Sequence, residues 1–166
     1  TPPDSAATTL IAPARPGGYN RGGGSRVSDA VGFIGLGAMG KPMALNLRKH
    51  DVPVVVHNRS HAAERALAEA GAGIATTPAA VAAACHVIVL MLPDAPDVEA
   101  VLDGPSGLLA GLQPGTVVVD SSTIAPSAAV RFAGQVAARG GSYLDAPVSG
   151  GEIGAKRLAD EPHRVR

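Results

Sequence analysis

From about residue 30 onward, short apolar runs alternate with amphipathic or alanine-rich stretches. The run Val31-Gly32-Phe33-Ile34 is followed by a helix-compatible segment, 41–49. Pro42 stands early in it, where its missing N–H costs little, and Met43, Ala44, Leu45 and Leu47 supply a packing surface. Residues 51–57 (DVPVVVH) read as a second strand, with the near-continuous valine run of a parallel strand covered on both faces. An alanine-rich helix over 61–70 stops at Gly71, a short strand follows at 73–75, and Thr77-Pro78 opens a helix through 84. The stretch 87–92 (VIVLML) is the least ambiguous buried strand; Pro93 ends it, and Asp94 caps a helix over 97–102. Residues 107–112 make a short helix and 116–120 a fifth strand. A helix over 126–139 closes at Gly140-Gly141, before a sixth strand at 142–144. This alternation predicts an α/β domain with a doubly wound parallel sheet, which binds ligands at the carboxyl ends of its strands.

Between the first strand and helix lies Gly35-Leu36-Gly37-Ala38-Met39-Gly40. The spacing is G-x-G-x-x-G, where the first glycine makes a tight turn and the second admits a pyrophosphate. The third lets helix and strand approach, and the helix-start amides then point at negative charge. Such a pattern arises by accident in a chain with 21 glycines. The strand before it and the helix after it favour the dinucleotide reading, with residues 35, 37, 38, 39 and 40 on the cofactor.

The end of the second strand carries Asn58-Arg59-Ser60. Enzymes selective for NAD place Asp or Glu here, about 20 residues beyond the glycines, on the ribose 2′-hydroxyl. A neutral Asn58 followed by Arg59 removes repulsion and offers a guanidinium to a 2′-phosphate, so NADP(H) is expected over NAD(H). Arg59 as a solvated helix-start residue is the competing reading. Ser60 either joins the phosphate contact or caps the next helix. Two later strand ends bear on chemistry as well. The hydroxyls of Asp120-Ser121-Ser122-Thr123 either face ribose and substrate or cap a helix, and the amide-rich loop 145–151 either holds a carboxylate or merely links.

Composition narrows the picture. Lys+Arg and Asp+Glu both number 14, giving zero net charge and no basic excess for a nucleic acid. Aromatics make up 2% of the chain, so the core is built from small and β-branched side chains. Cys85 is the single cysteine, which precludes an internal disulfide and suits a reducing, cytoplasmic setting. It precedes an apolar strand and is expected to be buried and inert. No apolar run reaches the roughly 18 residues that span a membrane. His50, His57, His61, His86 and His163 lack metal-ligand spacing, so no metal is expected. Residues 1–29, rich in Pro, Gly, Ser and Ala, read as a disordered low-complexity extension without the apolar region of a signal peptide. Arg15, Arg21 and Arg26 within it are offset by Asp4 and Asp29, which disfavours an RNA-contacting arm or a transit peptide. Because the chain starts at Thr1, processing or a fragment is expected.

Taken together, residues 32–40 (GFIGLGAMG), Met91-Leu92-Pro93, Asp120-Ser121-Ser122-Thr123 and residues 145–151 (DAPVSGG) resemble the β-hydroxyacid dehydrogenase family. The similarity runs from residue 30 to about 157, and Asn58-Arg59-Ser60, Met91-Leu92-Pro93-Asp94 and Ser149-Gly150-Gly151-Glu152 look most like its tartronate semialdehyde reductase branch. The resemblance implies a Rossmann-like NADP-binding domain over 30–157. It places Leu92, Pro93 and Thr123 along the nicotinamide half of the cofactor and Ser122, Gly150 and Gly151 on the substrate carboxylate. The implied reaction is reversible hydride transfer to a short aldehyde acid such as 2-hydroxy-3-oxopropanoate.

Family members continue past this loop into an all-helical domain, whose first long helix carries a proton-donating lysine. Here a divergent tail, 158–166, follows, and none of Lys41, Lys49 and Lys156 stands at that position. Lys156 is expected in a loop without helical context. No catalytic residue is therefore assigned in this chain, which is expected to be truncated or frame-shifted near 157 and not competent alone. A non-catalytic NADP(H)-binding module and a 3-hydroxyisobutyrate dehydrogenase are the alternatives. The oligomeric state stays open, since family dimers form largely through the helical domain.

Overall fold

The computed structural model describes residues 28–157; the expected extension up to residue 27 and the tail 158–166 lie outside the described residues. The first strand, β1 (Ser28–Ile34), starts inside the segment expected to be an extension. It leads through the glycine turn into α1 (Gly40–Lys49), then β2 (Val54–His57), α2 (His61–Glu69), β3 (Gly73–Ile74), α3 (Pro78–Ala84) and β4 (Cys85–Leu90). The second half adds α4 (Ala95–Leu102), α5 (Leu108–Gly111), β5 (Val117–Asp120), α6 (Pro126–Ala137), β6 (Ser142–Asp145) and α7 (Gly151–Arg157).

The strands form one six-stranded sheet in the order β3-β2-β1-β4-β5-β6. Every neighbouring pair is parallel, so this is the doubly wound Rossmann arrangement, with its switch point between β1 and β4. The Rossmann-like α/β expectation holds. Several local expectations do not. Residues 51–53 are not strand: Asp51 takes a positive φ of 60° in the turn after α1, and the ladder begins only at Val54. The fourth strand runs from Cys85 rather than residue 87 and ends at Leu90, which releases Met91 and Leu92 into the loop above the sheet. Lys156 lies in a helix, α7, where it pairs with Glu152 one turn back.

Each face of the sheet has its own apolar cluster. On one side α1 and α2 cover Phe33, Val54 and Val56, together with Ala44 and Leu67. On the other, Val81 of α3, Val98 and Leu102 of α4, Leu108 of α5, and Phe132 and Val136 of α6 close over Ile34, Ile88, Leu90 and Val118. The small-residue composition matters here: a Cβ on Gly32 would come within 2.5 Å of Val81 Cγ1, so α3 sits almost on the β1 backbone. Local caps match their sequence signals. Thr77 Oγ1 accepts from the Ala80 N–H at 3.1 Å, and Asp94 Oδ1 from the Asp97 N–H at 3.2 Å.

Candidate functional site

A cleft of about 760 Å3 opens at the carboxyl ends of β1, β2 and β4, lined by the glycine turn, residues 57–61 and the loop 91–93. Gly35, Gly37, Ala38, Met39, Gly40, Asn58, Arg59, Ser60, Leu92 and Pro93, all expected on the cofactor, come together here at the switch point, and Thr123, also expected there, is not among the lining residues.

The glycines divide their work as their spacing implies. Gly35 has φ +96°, and a Cβ there would lie 2.3 Å from the Met91 carbonyl oxygen. At Gly40 a Cβ would lie 1.9 Å from the Gly35 oxygen, so α1 starts against the turn itself. Gly37 is different: a Cβ there would meet no protein atom, and the room beside it belongs to the cleft. Behind it, the N–H groups of Ala38, Met39 and Gly40 have no acceptor among the described residues, as the first amides of a helix do not. An open face plus unpaired amides fits a pyrophosphate at the α1 start.

Asn58 does more than lack a charge. Its Oδ1 accepts the Leu36 N–H of the glycine turn at 2.9 Å, while its Nδ2 donates to Ser60 O at 2.9 Å and Ser60 Oγ at 3.2 Å. A carboxylate could make the first bond but could not donate to the Ser60 carbonyl, so the amide staples the glycine turn to the β2–α2 loop. Ser60 is the N-cap of α2, yet its side chain makes no capping bond. Its hydroxyl is spoken for by Asn58. Arg59 is almost fully exposed at the cleft rim, and among the described residues it pairs with Asp97 at 3.8 Å. Such an exposed pair is weak and leaves the guanidinium available.

Beneath this loop is a residue that sequence reasoning missed. Glu64, 4% exposed, accepts the Asn58 N–H at 2.8 Å through Oε1 and faces His61 Nδ1 at 2.8 Å through Oε2. It stands four residues after Ser60, one beyond the capping-box spacing, so no familiar pattern marks it. Its carboxylate fixes the entry to α2 and, with it, the loop that carries Arg59.

The second half of the site is arranged differently from the expectation. Leu92 and Pro93 line the cleft. Ser122, expected on a substrate carboxylate, is fully buried, and its Oγ accepts the Leu92 N–H at 3.0 Å. The buried Asp120 accepts the Ser122 N–H at 2.9 Å through Oδ1 and the Tyr143 hydroxyl through Oδ2. Burial, the bond to Asp120 and the charges of Asp120 and Asp145 push the Tyr143 phenol far above its ordinary value, so it stays a donor. Thr123 is exposed beside this cluster. Gly150 and Gly151 both have positive φ, +104° and +59°, but Gly151 opens α7 rather than extending a loop. α7 rests on α1, where Asn46 Nδ2 donates to Ala155 O at 2.7 Å. Among the described residues no cluster of His, Cys, Asp or Glu could hold a metal, and no helix is long and apolar enough to cross a membrane. Cys85 is a free, buried thiol whose pKa burial raises to about 11.

Residues 30–159 match the family described as the NAD binding domain of 6-phosphogluconate dehydrogenase. The chain belongs to this family. With it come the β-hydroxyacid dehydrogenases as relatives, and a nicotinamide dinucleotide as the cofactor. The chain is similar to 2-(hydroxymethyl)glutarate dehydrogenase of Eubacterium barkeri, 46% identical over 126 residues, covering 76% of this chain and 42% of the relative. It is equally similar to 2-hydroxy-3-oxopropionate reductase of Escherichia coli (strain K12), 46% identical over 126 residues, with 76% and 43% covered. A solved structure of a protein in complex with NADP+ and 2-OPP superposes with a TM-score of 0.73 at 39% identity, over 76% of this chain and 45% of that one. This β-hydroxyacid dehydrogenase-type domain thus spans about two fifths of the length of the curated relatives it matches.

Proposed function

We propose that this domain binds NADP(H) for a hydroxyacid dehydrogenase that transfers hydride reversibly to a short aldehyde acid, such as 2-hydroxy-3-oxopropanoate. The observation that carries the reading is the end of β2. Asn58 carries no charge and its amide is engaged with Ser60, while Arg59 stands exposed at the rim, 3.8 Å from Asp97. A 2′-phosphate there meets a guanidinium and no carboxylate from the strand end. The amides of Ala38, Met39 and Gly40 would hold the pyrophosphate, and Leu92 and Pro93 would wall the nicotinamide. When bound, the cofactor supplies or accepts the hydride. The similar structure in complex with NADP+ and the relative named 2-hydroxy-3-oxopropionate reductase support both the cofactor and the substrate class.

Among the described residues lining the cleft none is a lysine, and no group there is assigned as the proton donor for the nascent alkoxide. The same observation favours a second reading, an NADP(H)-binding module without turnover. Titration calorimetry of NADPH and NADH into this chain, followed by an assay of aldehyde-acid reduction, separates them. NADPH is expected to bind more tightly, and Arg59→Ala to cost it about 10- to 100-fold while leaving NADH unchanged. Tighter NADH binding would overturn the cofactor assignment, and turnover by this chain alone would rule out the module.

A further inference from the structure

We propose that Tyr143, on the last strand, is a positioning residue for the nicotinamide half of the cofactor, acting through Asp120 and Ser122 on Leu92. This rests on the NADP(H) reading of the cleft. The relay is continuous: the Tyr143 hydroxyl donates to Asp120 Oδ2, Asp120 Oδ1 accepts the Ser122 N–H at 2.9 Å, and Ser122 Oγ accepts the Leu92 N–H at 3.0 Å. Asp120 and Ser122 are completely buried, so neither has water to replace a lost partner. Tyr143 is itself fixed by the Phe132 ring, 6.4 Å away and tilted by 55°. At the far end, the Leu92 side chain and the Met91 carbonyl press on the first glycine of the turn. Leu92 Cδ2 lies 2.9 Å from where a Gly35 Cβ would stand.

Leu92 lies beyond the end of β4, outside the sheet ladder, so no strand neighbour fixes its amide; the Ser122 hydroxyl does. In a doubly wound sheet the first three strands take one mononucleotide and the last three the other. The relay is rooted wholly in β4, β5 and β6, whereas the 2′-phosphate loop belongs to β2 and α2. A defect in it should therefore be felt by the nicotinamide end and not by the adenosine end.

The two ends can be read separately with NADP+ and 2′,5′-ADP, which lacks the nicotinamide half. Tyr143→Phe is expected to weaken NADP+ about tenfold, the scale of one hydrogen bond to a charged group, with 2′,5′-ADP changed less than about twofold. Ser122→Ala, which removes only the Leu92 acceptor, should reproduce that split and carries the test if Tyr143→Phe does not fold. Equal losses for both ligands, as a general loosening would give, overturn the relay, and so does unaltered NADP+ binding. A wild-type chain that binds 2′,5′-ADP no better than 5′-ADP overturns the cofactor reading instead.

Discussion

One row of paired positions crosses the sheet through Ile74, Val56, Phe33, Val89, Val119 and Leu144. On the β1–β3 side, Val56 and Phe33 are sealed under α1 and α2. On the β4–β6 side the same face opens: Leu144 is 53% exposed, and in the next row Val87 is 41% exposed. The opposite face shows no such gradient, since Ile34, Ile88, Leu90 and Val118 are all buried beneath α3–α6. Among the described residues, the half of the sheet beneath the β2–α2 loop is therefore packed on both sides, and the half that carries the loop 91–93 on one. Parallel strands are ordinarily covered on both faces. The two halves hold their site residues by different means. In the first, glycine contacts and double-sided packing set the geometry. In the second, a buried polar relay from Tyr143 to Leu92 does so.

The largest expected effect sharpens this contrast. Phe33 is among the largest fully buried side chains and sits in the covered half of the row. Truncation by Phe33→Ala should cost about 3–5 kcal/mol, measured by urea denaturation. That is a large share of the roughly 5–15 kcal/mol that stabilises a domain of this size. A loss below about 1 kcal/mol would mean that the first half is no better packed than the second.

The alternation of apolar runs sufficed to foresee the strand–helix order and the doubly wound sheet, because each run is a physical consequence of burial. Boundaries were less legible. Val52 and Pro53 look like strand from composition, but the positive φ at Asp51 and the turn around it delay the ladder. α7 was invisible for another reason: its glycines at 151 and 154 lower helix propensity, and its docking on α1 through Asn46 is a long-range contact. At the site, Gly35, Gly37 and Gly40 could be assigned individually because spacing encodes their sterics. Asn58 was noticed for the charge it lacks, whereas its structural role is in the hydrogen bonds it donates. Glu64 and the Asp120–Tyr143 pair went unread because nothing in a linear pattern says which carboxylates a fold will bury.

A smaller effect probes the seam between the halves. Cys85 opens β4 on the sealed face, and its pKa is raised by burial from 9.0 to about 11. Between those values the unfolded thiol has released its proton and the folded one has not, so the folded state binds more protons. Stability from this group is thus complete below pH 9 and is lost as pH rises toward 11. The loss should reach about 2–3 kcal/mol, at 1.36 kcal/mol per pKa unit. Denaturation of the wild type and Cys85→Ala between pH 8 and pH 11 should show the wild type falling relative to the variant by about that amount. Parallel curves would place Cys85 in contact with solvent and show that the face beneath α3–α6 is less sealed at this end of β4 than its buried residues indicate.

The smallest expected effect is the most direct test of the open half. Leu144 stands one pairing step beyond Val119 in the same row as Phe33 and is half exposed. If no part of this chain covers it, Leu144→Ser removes little buried surface and should shift stability by no more than about 0.5 kcal/mol in either direction. Tyr143, its neighbour on the other face, is engaged with Asp120 and Phe132, so the two adjacent residues should differ sharply under the same denaturant series. A loss of about 2 kcal/mol or more at Leu144 would be the cost of uncovering a buried leucine. It would show that this half of the sheet is covered in solution, and would remove the distinction between the two halves at its root.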